Sequence, residues 1–100
     1  MAVTRFVRFR LHPSADEKEF LRLNLLLQHE IVPQLSGLLR RKMVRARNGE
    51  WIFAMRYANR QCAEGAASFT LGHRSTIPGR IALLVDMDSL TVEYRELAHG

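Results

Sequence analysis

Between Glu50 and Asn59 the chain reads EWIFAMRYAN. Trp51, Phe53, Met55 and Tyr57 occupy alternate positions, as on one face of a strand, but Ile52, Ala54 and Ala58 lie between them, so the other face is apolar too. Val3–Leu11 alternates in the ordinary way, with Val7, Phe9 and Leu11 on one face and Phe6, Arg8 and Arg10 on the other. His12-Pro13 ends that strand. Ser14-Ala15-Asp16-Glu17 has the spacing of a capping box, in which a serine and a glutamate three residues later close the first turn of a helix. Phe20, Leu23, Leu27 and Ile31 then form one buried stripe, widened by Leu21 and Leu25, and Pro33 and Gly37 stop the helix.

Leu38–Arg47 reads as a second strand, and Asn48-Gly49 is a strong hairpin signal that makes the Glu50–Asn59 strand antiparallel to it. Asn59 can cap a second helix carrying Cys62, Ala63, Ala66, Phe69 and His73. Ile77-Pro78-Gly79 breaks the pattern, Arg80–Val85 adds a helical turn or two, and Ser89–Leu97 is the last strand.

The order is β-α-β-β-α-β, a ferredoxin-like α+β arrangement with a four-stranded antiparallel sheet. Right-handed crossovers place the first and third strands at the centre and the second and fourth at the edges. The second strand suits an edge because Arg40, Arg41, Lys42, Arg45 and Arg47 discourage further pairing. Two helices cover one face of such a sheet, yet the third strand is apolar on both. The simplest second cover is another copy of the sheet packed face to face about a two-fold axis, so a homodimer is expected.

Composition narrows the class. One hundred residues, 47% of them hydrophobic, make one domain with a modest core. The single cysteine, Cys62, cannot form an intramolecular disulfide and reads as a small apolar residue rather than a nucleophile. The first residues are charged from Arg5 onward, with no secretory h-region, and no apolar run reaches membrane-spanning length, so a soluble cytoplasmic protein is expected. The net charge of +5, mostly arginine, admits a carboxylate or phosphate ligand, an acidic partner or nucleic acid.

The candidate chemistry is sparse. Tyr57 ends the aromatic strand, where a phenol can keep its hydroxyl near solvent or a ligand. His73, on the inner side of the second helix, could take a proton from an acidic substrate or bind a metal, although a lone histidine is more often structural or exposed. Trp51 and Phe53 could floor a pocket for a flat aromatic molecule, although core packing is the plainer reading. Arg8, Arg10 and Arg56 could share one space on neighbouring strands. A buried Arg56 would need an anion, either a substrate oxygen or an internal carboxylate, Glu93 or Asp86. No histidine pair or histidine–carboxylate group has metal-ligand spacing, so no dedicated metal site is expected, and no nucleophile elbow or triad order is present.

The segments HEIVPQLSGLLRRKMV and WIFAMRYANRQCAEGAASFTLGHR, with the order of elements, resemble the dimeric α/β-barrel superfamily, and within it the antibiotic-biosynthesis monooxygenase-like group, which includes haem-degrading enzymes. In that group an aromatic residue ends the third strand, a polar residue follows, and a histidine near the end of the second helix is common. Tyr57, Asn59 and His73 match these positions. The first strand lacks the asparagine of the haem-degrading branch, and tyrosine replaces tryptophan at position 57. The resemblance implies a cofactor-independent monooxygenase acting on an aromatic or polyketide-like substrate, with Tyr57 and His73 catalytic and Arg8, Trp51, Phe53, Arg56 and Asn59 binding substrate. A polyketide cyclase or isomerase, a haem-binding enzyme, and a non-catalytic ligand carrier are alternatives on the same fold. RNA-recognition domains share the strand order, but here Trp51 and Phe53 fall one residue out of the RNA-stacking register, which disfavours nucleic-acid binding.

Overall fold

The computed structural model describes residues 1–70 and 77–96, without side-chain description for 67–70. Strands β1 (Val3–Leu11), β2 (Leu38–Arg45), β3 (Trp51–Tyr57) and β4 (Val85–Glu96) form one antiparallel sheet in the order β2-β3-β1-β4. The helices are α1 (Glu17–Leu26), α2 (Arg60–Thr70) and α3 (Ile77–Leu84). This is the ferredoxin-like α+β topology expected from the pattern, with β1 and β3 central.

Parity along the strands separates the two faces. Val3, Val7 and Phe9 of β1 and Trp51, Phe53, Met55 and Tyr57 of β3 are buried with Phe20 and Leu23 of α1, Ala63 and Ala66 of α2, and Ile81 of α3. Phe20, with 0% of its surface exposed, is the hub. Its ring meets Trp51 at 4.9 Å and Phe9 edge-on at 5.8 Å, and stacks on Phe53 at 6.3 Å. The even positions form the other face, to which the described helical residues contribute no buried side chain.

Local chemistry explains the connections. The cap of α1 is Asp16 rather than Ser14, its Oδ1 accepting the Lys18 N–H at 3.0 Å. A turn after β1, closed by Ala15 N–H to the His12 carbonyl (2.9 Å), leaves Ser14 outside the helix. Pro33 does not cut the helix at once. The chain relaxes through a π turn, Leu27–Ile31, and a 3-10 turn, Val32–Gln34. Gly37 then adopts φ +76°, and a Cβ there would lie 2.5 Å from Cys62 Sγ and 2.8 Å from Cys62 Cβ. Only glycine lets the connection approach α2 so closely.

The β2–β3 turn is closed by Ala46 N–H to Glu50 O (2.7 Å) and Gly49 N–H to Ala46 O (3.0 Å), with Gly49 at φ +84°. Ile77-Pro78-Gly79 starts α3 instead of breaking the chain, because a proline in the first helical turn needs no N–H partner. The last strand accordingly begins at Val85, before Ser89. A register shift between Arg8 and Arg10 interrupts the β1–β4 ladder, and the Ser89 hydroxyl accepts the Arg10 N–H (2.7 Å) while donating to Asp86 O (2.6 Å). No helix among the described residues is long and apolar enough to cross a membrane.

Candidate functional site

On the helix-covered face, β3 sends Trp51, Phe53, Met55 and Tyr57 inward. Trp51 and Phe53 are 6% and 9% exposed, and their rings are occupied by Phe20 and Phe9. Two arginines of β2 stack on them, Arg41 over Phe53 at 4.8 Å and Arg45 over Trp51 at 5.3 Å. In this chain alone both rings are core.

Tyr57 is only 1% exposed, contrary to the expectation of a hydroxyl near solvent. The α1–β2 connection runs beside the strand end, with Leu38 paired to Tyr57 and the Gly37 carbonyl accepting the Ala58 N–H at 2.8 Å. The phenol donates to Met55 Sδ at 3.7 Å. Burial pushes its pKa up, while the charges of Arg5 and Arg41 oppose that shift, so at neutral pH it is a hydrogen-bond donor and not a base. Asn59 caps α2 as expected, its Oδ1 accepting the Cys62 N–H at 2.9 Å.

Beside this strand end, a cleft of about 440 Å³ opens between the α1–β2 connection and α2. Gln34, Leu35 and Ser36 form one wall, and Gln61, Cys62, Gly65 and Ala66 the other. Amides, a hydroxyl and a thiol beside apolar surface suit a small organic molecule with a few polar groups.

Arg8 and Arg56, expected to share one space, do share a face of the sheet, but it is not the face of Tyr57. Both occupy even positions and so lie on the opposite face of the sheet. Arg56 is opposite Thr4, and Arg8 stands four residues further along β1, roughly 13 Å away. Arg8 pairs with Glu50 at 3.7 Å, and Arg10 donates to the Asn48 carbonyl at 2.7 Å. Neither internal carboxylate reaches Arg56. Glu93 binds Arg95 (3.0 Å), Asp86 accepts the Asp88 N–H (3.2 Å), and Arg56 Nε is buried without a hydrogen-bond partner. Beside Arg56 in the same cross-strand row stands Arg40. His73 lies outside the described residues.

Arg5 is a further candidate, beyond the residues singled out from the sequence. It stands on the helix-covered face between Met55 and Tyr94, and its Nε is buried without a hydrogen-bond partner. The signal was legible: in Val3, Arg5, Val7, Phe9 one charge interrupts an otherwise apolar inward stripe. Among the described residues no three His, Cys, Asp or Glu side chains gather to hold a metal ion.

The fold is shared with solved structures described as antibiotic biosynthesis monooxygenases and with a cofactor-independent oxygenase. A solved antibiotic biosynthesis monooxygenase superposes with a TM-score of 0.68 at 14% identity, over 97% of this chain and 99% of that one. SnoaB, a cofactor-independent oxygenase from Streptomyces nogalater, is similar at a TM-score of 0.65 and 16% identity, over 99% and 95% of the two chains. A dimeric ferredoxin-like protein of unknown function from Jannaschia sp. CCS1 matches at a TM-score of 0.69 and 13% identity, over 97% and 100%. Identities this low establish the shared fold and no particular activity. No protein-family model and no curated protein sequence matches the chain.

Proposed function

We propose that the chain is a small-molecule enzyme of the cofactor-independent monooxygenase kind, acting as a homodimer on an electron-rich aromatic or polyketide-like substrate. The observation that carries this reading is the cleft between α2 and the α1–β2 connection, set on a fold shared with a cofactor-independent oxygenase over nearly the whole of both chains. The work asked of the protein is to hold a flat substrate away from water and favour its deprotonated form, which can give an electron to oxygen. His73 is the proposed base, and Tyr57 the donor that steadies the substrate oxygen. Proton transfer by a positioned side chain contributes about 10²- to 10⁴-fold.

The second copy is proposed to cover the open face of the sheet. Phe6, Ile52 and Ala54 lie there only partly buried, and Val44 is 40% exposed. A two-fold pairing of these faces would give the doubly apolar β3 its second cover.

Oxygen uptake with a panel of electron-rich polycyclic phenols tests the activity, with native mass spectrometry of the same samples for the dimer. Consumption that falls with His73→Ala and Tyr57→Phe supports the assignment. Turnover of a verified substrate unchanged in the double variant removes those roles, and a clean monomer during turnover removes the dimer.

A further inference from the structure

Arg41 and Arg5 stand in one cross-strand row on the helix-covered face, Arg41–Met55–Arg5–Tyr94. Adjacent strands are about 4.8 Å apart, so roughly 10 Å separates the two arginine Cα atoms, with Met55 between them. Both guanidinium groups act on the same phenol, Tyr57, which leans on Met55.

Among the described residues neither arginine is paired with a carboxylate. Arg41 donates to neutral amides, Asn24 Oδ1 at 2.6 Å and Gln28 Oε1 at 3.1 Å. Arg5 enters no ion pair among the described residues. Acids of the sheet and of α1 are engaged elsewhere: Glu96 with Arg60 (3.3 Å), Glu93 with Arg95 on the opposite face, and Glu17 with Arg45 (2.6 Å). Residues 71–76 and 97–100 contain no Asp or Glu. Two cations on one partly buried surface, with no anion beside them among the described residues, are electrostatically unfavourable, and buried donors normally find acceptors. Packing alone would favour an aliphatic residue at position 5, between Val3 and Val7.

We infer that this end of the helix-covered face binds the anionic oxygen of an aromatic ligand, a carboxylate or a phenolate, with Arg5 and Arg41 supplying the positive charge and the Tyr57 hydroxyl a hydrogen bond. Tyr57 is suited to that part because burial keeps it protonated. Tyr94, with Arg60 stacked over its ring at 5.1 Å, adds aromatic surface at the same end. The inference rests on the reading of this side of the sheet as a small-molecule site and narrows its ligand to an acid or an acidic phenol. It also assigns Arg5 a task in the reaction, because the phenolate it stabilises is the form that gives up an electron.

The test is calorimetric titration of the 100-residue chain with 2-naphthoate and with its neutral isostere 2-naphthamide at pH 7. The acid is expected to bind at least about tenfold more tightly than the amide, the scale of a charge-assisted contact. Arg5→Gln should abolish that preference while leaving amide binding unchanged, Arg5→Lys should retain part of it, and Arg22→Gln, a surface control, should change nothing. For phenols, the absorbance of bound 1-naphthol should show a lowered pKa that rises again in Arg5→Gln. Equal affinity for acid and amide, a preference that survives Arg5→Gln in a protein with native circular dichroism, or no binding of either probe overturns the site. An acid preference without oxygen uptake on any phenol removes the oxygenase reading and leaves the anion site. Uptake on substrates bound with no preference for the anion does the reverse.

Discussion

The two faces of the sheet carry similar residues and meet different fates. On the covered face, the rings of Trp51, Phe53 and Phe9 close around Phe20, and the arginines above them are held by rings, amides or Glu17. On the open face, Phe6, Ile52 and Ala54 form a smaller apolar strip. Arg40, Lys42 and Arg56 border it, and Arg95 lies over the Phe6 ring at 5.7 Å. Alternation therefore identifies which side chains can be buried together. It does not identify what buries them: here the chain's own helices on one side and, as proposed, a second copy on the other.

Substitutions in matched positions would sharpen that contrast. The largest effect is expected at Phe20, where Phe20→Ala should cost about 3–5 kcal/mol and could leave little folded protein, whereas Phe6→Ala should cost under about 1 kcal/mol in urea denaturation of the dilute chain. A loss at Phe6 as large as that at Phe20 would mean that the open face is already core in the monomer. Next is the glycine that lets α2 close over the covered face. Gly49→Ala meets only Arg10 Nη1, at 3.6 Å, and should cost about 1–2 kcal/mol for its left-handed backbone. Gly37→Ala adds a collision with Cys62 to the same strain and should lower the denaturation midpoint further.

A smaller effect is expected in alkali. The folded state raises the Tyr57 pKa, so it binds that proton more tightly than the unfolded chain does. The resulting stability is fully present below the unfolded tyrosine pKa of about 10 and is lost as pH rises above it. Urea titrations on both sides of that pH should show the decline, and Tyr57→Phe should make it shallower. The smallest change belongs to the solvated surface. Arg22 binds Glu19 at 2.6 Å and holds its carboxyl below the usual range, yet Glu19→Gln should leave the denaturation midpoint at neutral pH unmoved, because the pair is fully solvated.

Much of the fold was legible because hydrophobic period is a local property. The alternation in Val3–Leu11, the Asn48-Gly49 turn and the stripe from Phe20 to Ile31 each announced an element that the structure contains. The extent of α3 was not legible, since Pro78-Gly79 reads equally as a break or as a first helical turn. Asp16 displaced Ser14 as the cap because the turn after Pro13 decides which residue is last outside the helix. The candidate site was harder to read. Parity could have placed Arg5 inside and Arg8 outside, and separated Arg56 from Tyr57. The engagement of Glu93 by Arg95, and the burial of the Tyr57 hydroxyl by the passing α1–β2 connection, depend on neighbours that no local pattern contains.

The strand order also governs how the chain can assemble. β1 is made first and sits in the middle of the sheet, but its two neighbours are β3 and β4, and Val3 pairs with Glu96 at the far end of β4. The β2–β3 hairpin can form as soon as it is synthesised, whereas β1 must wait for the last strand with an edge bare. Closing that long loop makes folding slow relative to a helical protein of the same size. A nascent chain halted before Val85 would present a central strand as an open edge, the kind of surface on which neighbouring chains aggregate.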